Sequence, residues 1–408
     1  MTQNNCRVCL KKIDEFMSFG KMPIANSFIK KNEINSQFFY NMKVGFCQNC
    51  FTFQLIDVPN AKQMFNSKYA YLASTSLVMQ NHWRKLANLI VKDYKLNTNS
   101  FVVEIGSNDG IFLKNISNLK IPHLGVDASS NVSDISKSRG VNSLNAFFNT
   151  QTALDIRSSY GKADIIVSTN TMHHIEDINS AAEGMSKLIK NDGTIITEDP
   201  SLKEMLVKNS YDQIYAEHMY IWSLSSISSL FNKYDMEVYD IKNNTFHGGC
   251  SRYFIAKKNK KKISNNVYFH KKSENRIGIN KMSTYVKFKK RTIESKKRLK
   301  DFLTKLKESN KKIVGYGAPA KSTTILNYCD IDGSLIEKIF DNSETKIGKF
   351  TPGKSLIPIE HTKYFESYYS EYCILFAWNH EKEILNKEKK YKKKDGKWII
   401  PIPKLKVI

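Results

Sequence analysis

Short apolar runs, each closed by a polar residue or a glycine, recur through the middle of this chain of 408 residues. Candidate strands span 101–105, 122–126, 164–168, 193–198, 236–241 and 252–256, with helical spacing between several of them. Strand alternating with helix predicts a mostly parallel α/β sheet with right-handed crossovers. Such sheets bind ligands at the carboxyl ends of their strands. Those ends carry Glu104, Asp127, Ser168 to Asn170 and Glu198-Asp199-Pro200. The pattern restarts at Ile313-Val314-Gly315-Tyr316-Gly317, where a strand enters a glycine turn, with further strands at 336–340 and 372–376. A second α/β unit is therefore expected to close the chain.

Between the two units lies a lysine-rich stretch, 257–312. Its second half reads as a long helix with Leu299, Phe302, Leu303 and Leu306 on one face, expected to pack on the last unit. Residues 60–98 read as helices, with Met64, Tyr69, Trp83, Leu86 and Leu89 at helical spacing in parts. Short strands fit Phe38-Phe39-Tyr40 and the run from Phe51 to Leu55.

Four of the seven cysteines form two pairs, Cys6-x-x-Cys9 and Cys47-x-x-Cys50, while Cys250, Cys329 and Cys373 are isolated. Two such knuckles complete a tetrahedral zinc site, and four sulfurs close it, so its role is structural. The small segment around it has too little core to fold without metal. A chain this long holds more than one core. The divisions read from the sequence are a zinc module at 1–60 and a cofactor domain at 61–258, with 61–98 as a helical lead-in. A linker and helix at 259–312 and a last α/β domain at 313–408 follow.

The run Val102-Val103-Glu104-Ile105-Gly106-Ser107-Asn108-Asp109-Gly110 is a strand ending on an acid and entering a glycine loop. A second strand, Leu124-Gly125-Val126, ends on Asp127, placed to hold the two hydroxyls of a ribose. No basic residue stands in the loop, and the Lys-Ser/Thr that grips a triphosphate is missing. The acid and glycines suit S-adenosylmethionine, whose sulfonium and ammonium are cationic. The candidate cofactor residues are Glu104, Gly106, Ser107, Asn108, Gly110, Asp127 and Asn170.

A net charge of +24 raises nucleic acid or an anionic membrane as partners. The excess is spread with a general richness in Lys, Asn and Ile, and reads as solvated faces, in part serving an anionic small substrate. No apolar run approaches the roughly 18 residues of a membrane span, and the first residues carry no signal-peptide pattern. A cytoplasmic protein without nucleic-acid or membrane partners is expected.

The segment Tyr211-Asp-Gln-Ile-Tyr215-Ala-Glu217-His218-Met-Tyr220 gathers acid, imidazole and phenols ahead of a helix start at Ser223. A histidine beside a glutamate is a candidate base with a partner. His173-His174 follows the 164–168 strand and faces the expected cleft. His247-Gly248-Gly249-Cys250-Ser251-Arg252 brings a turn and an arginine suited to an anionic substrate. Lys321 and Ser322 open the helix after the last glycine turn, a ready anion site.

Taken in order, the two Cys-x-x-Cys pairs, Tyr69-Ala-Tyr71 with Ser74-Thr75-Ser76, Glu104-Ile-Gly-Ser-Asn-Asp-Gly, Tyr215-Ala-Glu217-His218, His247-Gly-Gly and Gly315-Tyr-Gly-Ala-Pro-Ala-Lys321 cover nearly the whole chain. This order resembles the zinc-containing sugar C-methyltransferases, which methylate nucleotide-linked 4-keto-6-deoxy sugars in deoxysugar biosynthesis. The resemblance implies a zinc module, a central Rossmann-like class I methyltransferase domain, and a C-terminal Rossmann-like domain that helps hold the nucleotide sugar. It implies that Tyr69, Tyr215, Glu217 and His218 surround the sugar, with His218 as the base and His174 as a cleft histidine. The candidate substrate residues are His247, Arg252, Tyr316, Lys321 and Ser322. Phe51 stands where the family usually has glycine, Asp127 replaces a glutamate, and Cys250 a serine; Ser322 and Thr323 replace a glycine and an asparagine.

The expected chemistry is transfer of a methyl group to the carbon beside a ketone. His218 removes the proton, Glu217 sets its orientation, and Tyr215 or Tyr69 supports the enolate oxygen. Methylation of nitrogen or oxygen on a related nucleotide sugar is the nearest rival. A nucleic-acid methyltransferase fits less well, because Thr169-Asn170-Thr171 replaces the Asn/Asp-Pro-Pro-aromatic motif of many base-amine methylases. A monomer or weak homo-oligomer is expected.

Overall fold

A computed structural model describes residues 5–67, 69 and 71–408. The fold opens with three antiparallel strands, β1 (Asp14–Pro23), β2 (Phe39–Phe46) and β3 (Phe53–Leu55), paired in that order. The sequence hides β1. Register shifts between Glu15 and Met17, and between Ser18 and Gly20, break the alternation that would reveal it. Between β2 and β3 the chain turns back at Cys47–Cys50, and Phe51 adopts a left-handed φ of 60°. That conformation is why glycine suits this position.

The central unit supplies β4 (Val102–Ile105), β5 (His123–Asp127), β6 (Ser143–Asn145), β7 (Ala163–Thr169), β8 (Ile189–Pro200), β9 (Tyr220–Ile221), β10 (Met236–Asn244) and β11 (Cys250–Lys257). Seven of these form one sheet in the order β10-β11-β8-β7-β4-β5-β6, parallel from β8 to β6 and antiparallel at β10 and β11. The chain runs outward from β4 through β5 and β6, then crosses to β7 on the other side. That reversal opens a crevice at the carboxyl ends of β4, β5 and β7. The last unit repeats the plan with β12 (Ile313–Tyr316), β13 (Ile339–Asp341), β14 (Ile359–His361), β15 (Tyr372–Leu375), β16 (Lys397–Ile400) and β17 (Lys406–Val407). Its order is β14-β13-β12-β15-β16-β17, parallel except for the final pair. The expected α/β architecture with a small N-terminal module and two stacked-helix units is therefore present.

Two expectations are corrected. Among its described residues the 60–98 stretch is α-helical only at Ala61–Met64 and Leu77–Asp93, with one 3-10 turn at Ala73–Thr75. Met79, Trp83, Leu86, Ala87 and Ile90 hold a helical stripe that the residues before Leu77 do not continue. The long helix Met282–Glu308 does reach the last unit, where Phe302 meets Tyr372 edge-on. Its first half, however, packs on the N-terminal module: Tyr285 stacks on Phe46 with centroids 4.1 Å apart and touches Phe16 at 5.3 Å. Aromatic pairs of this kind add about 0.5–1.5 kcal/mol each beyond area burial.

β9 pairs with β3, opposing Ile221 to Phe53 and Tyr220 to Gln54. The N-terminal sheet is thus finished by a strand from the central unit, and a cut at residue 60 divides it. The four paired cysteines are free thiols whose sulfurs lie within 4.8 Å of one another. Cys6 and Cys50 are 3.4 Å apart and Cys9 and Cys47 3.5 Å. Tetrahedral zinc with bonds near 2.3 Å sets sulfur separations of about 3.8 Å, so the cluster fits the ion with small adjustments. The site is tied directly to β3. The Gln54 Oε1 accepts from the Arg7 N–H at 3.1 Å, and the Cys6 thiol lies 3.6 Å from it.

Removing the metal with a chelator, or replacing Cys50 by Ser, is expected to lower the melting temperature by roughly 5 °C or more. It should also expose the 14–56 region to protease. Unchanged melting with zinc loss confirmed by elemental analysis would contradict the structural role.

Candidate functional site

The crevice is a cavity of about 1220 Å³ walled by all three units. On the central sheet, β4 delivers Glu104 into a loop that turns at Gly106, where φ is +72°. A Cβ there would come within 2.1 Å of the Thr171 hydroxyl, so glycine is required both by conformation and by space. Asp127 ends β5 and accepts the Asn108 N–H at 2.8 Å and the Ser129 N–H at 2.9 Å. Asn170, with φ of 53°, hangs its side chain off β7. Among the described residues neither atom of its amide group has a partner, and the same holds for Glu104 Oε2 and the Ser107 hydroxyl. Burial, reinforced by Asp127 and Asp109, pushes the Glu104 carboxyl up, which a neighbouring cation would reverse. Unsatisfied acceptors beside an acid cluster are what the ammonium, sulfonium and hydroxyls of S-adenosylmethionine would satisfy.

The segment just before β9 builds the adjoining wall. The Tyr215 hydroxyl meets His218 Nε2 in a short hydrogen bond, and the two rings lie 3.8 Å apart. His173 packs edge-on against His218 at 4.2 Å and pairs through Nδ1 with Asp199 at the end of β8. His174 completes a cluster whose ring nitrogens lie within 4.8 Å, and Phe65 stacks over it. Burial lowers His218 well below the ordinary histidine value, with His173, His174 and Lys321 adding to the effect. Burial likewise lowers His173, to about 3, and raises Asp199. Burial, then Glu217, holds the phenols of Tyr69 and Tyr215 above their usual range, which keeps both as O–H donors. The cavity therefore offers neutral imidazoles and protonated phenols around one open space.

His218, Glu217, Tyr215, Tyr69 and His174 all line this cavity, as do Glu104, Gly106, Ser107, Asn108, Asp127, Asn170, His247 and Lys321. Four candidates do not. Gly110 lies below the loop, where φ is +77° and a Cβ would meet Ser136, so it shapes the turn. The guanidinium of Arg252 is used by Glu198, with Nε to Oε2 at 2.6 Å. Burial pushes Glu198 up, but His82 and Arg252 outweigh it and hold the carboxylate ionised. Tyr316 donates to Glu388 at 2.7 Å inside the last unit. Ser322 is fully buried and donates to the Pro319 carbonyl at 2.7 Å. For the last three candidates, the polar group is taken up by a partner within the protein. Glu217 is expected to orient His218; its Oε1 instead accepts from Asn26 Nδ2 at 2.9 Å, its Oε2 has no partner among the described residues, and the side chain hydrogen-bonded to His218 is that of Tyr215.

Sequence reasoning missed Asn26, Phe65 and Lys346, which also line the cavity. Each is remote in sequence from the quoted motifs, and only tertiary pairing brings it here. It also missed how 71–76 clamps the glycine loop: Asn108 Oδ1 accepts the Ala73 N–H at 3.0 Å, and Ser74 donates to Asp109. Gly106→Ala is expected to destabilise the protein by about 1–3 kcal/mol in denaturant unfolding. A variant as stable as the parent would contradict the loop geometry.

Comparison with known proteins follows the same three parts. Residues 6–65 match a zinc binding domain, 79–241 a methyltransferase domain, and 245–403 the C-methyltransferase C-terminal domain. The chain is 30 % identical over 410 aligned positions to the C-methyltransferase NovU of Streptomyces niveus, covering 99 % of this chain and 97 % of the relative. Among solved structures, magnesium protoporphyrin IX methyltransferase from Synechocystis is 11 % identical, with a TM-score of 0.36 over 45 % of this chain and 88 % of its own. The YcgJ protein of Bacillus gives 15 %, 0.34, 44 % and 99 %. Full-length similarity to NovU, the three matched domains, the four-cysteine cluster and the acid-lined glycine loop converge: the chain belongs to the zinc-binding, S-adenosylmethionine-dependent C-methyltransferase family.

Proposed function

We propose that this enzyme methylates the carbon next to the ketone of a nucleotide-linked 4-keto-6-deoxy sugar, by enolisation followed by in-line methyl transfer. The observation that carries the reading is the buried His218–Tyr215 pair, which shares a cavity with the cofactor loop. A ketone acidifies the neighbouring C–H by spreading the carbanion onto oxygen, so one neutral base and one hydrogen-bond donor suffice to form the nucleophile. Bound S-adenosylmethionine supplies an electrophilic methyl group on its sulfonium, held by Glu104, Asn108, Asp127 and Asn170.

In the reactive tautomer, with His218 protonated on Nδ1, the Tyr215 hydroxyl bonded to Nε2 is the donor. Turning that hydroxyl to the ketone oxygen frees the Nε2 lone pair for the ring proton. The Gln213 backbone carbonyl favours the protonated imidazole that results. A positioned base contributes about 10²- to 10⁴-fold, and a donor on the developing oxyanion roughly 3–4 kcal/mol. Tyr69 and the unpartnered oxygen of Glu217 hold the sugar's hydroxyls and set which carbon faces the methyl group. No helix among the described residues is long and apolar enough to cross a membrane, which suits a reaction on water-soluble nucleotide sugars.

The test is methyl transfer from labelled S-adenosylmethionine to a panel of nucleotide-linked 4-keto-6-deoxy sugars, with the new bond located by NMR. A new carbon-bound methyl beside the ketone supports the reading; a methyl on nitrogen or oxygen overturns it. His218→Ala is expected to lose turnover by roughly a hundredfold while S-adenosylhomocysteine still binds. Near-normal turnover would sink the assigned base. Because burial lowers the His218 pKa below 6.5, the imidazole stays neutral as pH falls through that value. Turnover is expected to stay level from pH 8 to 6.5 and to fall only on the acid side. A decline centred at 6.5 would show an ordinary, solvated histidine instead.

A further inference from the structure

Positive charge is distributed unevenly over this fold. Residues 257–312 hold 21 Lys or Arg against four Asp or Glu, which is +17 of the chain's +24. They form the loop after β11, the helix Asn265–Ile277 and the long helix Met282–Glu308. No residue of this stretch lines the main cavity, so its charge serves neither cofactor nor methyl acceptor there. We propose that the outer face of this stretch docks on an anionic lipid surface, holding the enzyme at a membrane without crossing it.

The shorter helix is fixed as a platform from its inner side. His270 and Glu274 are buried there, with Val267 and Ile277 half-buried beside them. Glu274 Oε1 accepts the Leu224 N–H at 2.8 Å, and Asn266 Nδ2 donates to Asp240 of β10 at 2.9 Å. At about 100° per residue, Tyr268, Phe269, Lys272 and Arg276 then share the opposite face. Tyr268 and Phe269 are each 63 % exposed, the most exposed aromatic side chains among the described residues, and their ring centroids lie 5.6 Å apart. Solvation accounts for lysines held outward; it does not account for two aromatic rings held there.

Charge and side-chain type select lipid as the partner. Lys262, Lys271, Lys272 and Arg276 pair with no carboxylate among the described residues, and the one acid of the shorter helix is the buried Glu274. Ile263 is exposed just ahead of that helix. On the long helix Val286 and Ile293 are exposed among Lys289, Lys290 and Lys297, which outnumber the exposed acids Glu294 and Asp301. Apolar side chains gain by entering the headgroup boundary while their basic neighbours meet anionic headgroups. A nucleic acid would instead need faces on which its bases stack. The Tyr268 and Phe269 rings stand at 66° to each other, so they offer no parallel pair of faces, and the aliphatic residues add nothing to stacking.

The experiment is co-sedimentation of the zinc-loaded protein with vesicles of phosphatidylcholine alone, or of phosphatidylcholine and phosphatidylglycerol in equal parts. S-adenosylhomocysteine affinity is measured for every variant as the check on folding. Wild-type protein is expected to bind the anionic vesicles and not the neutral ones, about tenfold or more weakly in 0.5 M than in 0.1 M salt, roughly as the screening length shortens. Tyr268→Ser/Phe269→Ser should weaken binding about fivefold or more, and Lys271→Glu/Lys272→Glu about tenfold or more. Lys392 and Lys393, exposed on the last unit, supply the control: Lys392→Glu/Lys393→Glu changes the net charge equally and should weaken binding less than about twofold. Equal loss in that control would assign the binding to net charge and overturn the docking face. Absence of binding to anionic vesicles, binding undiminished in Tyr268→Ser/Phe269→Ser, or retention on single-stranded RNA in place of vesicles would also overturn it.

Discussion

The site depends on one pairing, the hydrogen bonds of β9 to β3. Leu55 donates to the Met219 carbonyl at 2.8 Å, and Gln54 stands opposite Tyr220. Met219 immediately follows His218, so the N-terminal sheet carries the backbone of the proposed base. The thiol cluster that anchors the sheet meets Gln54 directly. Zinc held by these sulfurs would act at a distance, touching no reacting group but steadying the strand that pairs with the backbone beside His218. Asn26, from the loop after β1, adds a second hold by donating to Glu217. The module that looks like an appendage in the sequence is a wall of the site.

Burial sets the electrostatics of that wall. Desolvation is the largest influence on His218, Tyr215, Tyr69, Glu104 and Asp199 alike. It removes charge from each group, leaving imidazoles free to accept a proton and phenols able to donate one. A low-dielectric cavity with few fixed charges strengthens the interactions formed when charge develops during reaction. The carboxylate of Glu198 stays ionised, held by His82 and Arg252 away from the chemistry.

The sequence revealed the parts that repeat a local rule. The Cys-x-x-Cys knuckles, the strand-acid-glycine loop at Glu104 and the alternation of strand and helix each need only near neighbours. It misled where a polar residue could serve either a ligand or the protein. Arg252, Tyr316 and Ser322 sit in segments that look like binding motifs, and Glu198, Glu388 and Pro319 take them instead. It was silent where contact is long-range. Nothing near Asn26 announces that it reaches a glutamate 191 positions away, and β1 is obscured by its own bulges. Internal partners and distant pairings are properties of the folded chain, so local pattern could not supply them.

In the proposed reaction a neutral, buried His218 enolises the substrate before the methyl group moves. It is tested most directly by following solvent deuterium into the ring carbons of 4-keto-6-deoxy nucleotide sugars, with S-adenosylhomocysteine bound so that no methyl group is available. Enzyme-dependent exchange at one carbon beside the ketone, lost in His218→Ala, is the predicted result. Methyl transfer to carbon without any exchange in wild-type protein, or exchange that persists undiminished in His218→Ala, would contradict it.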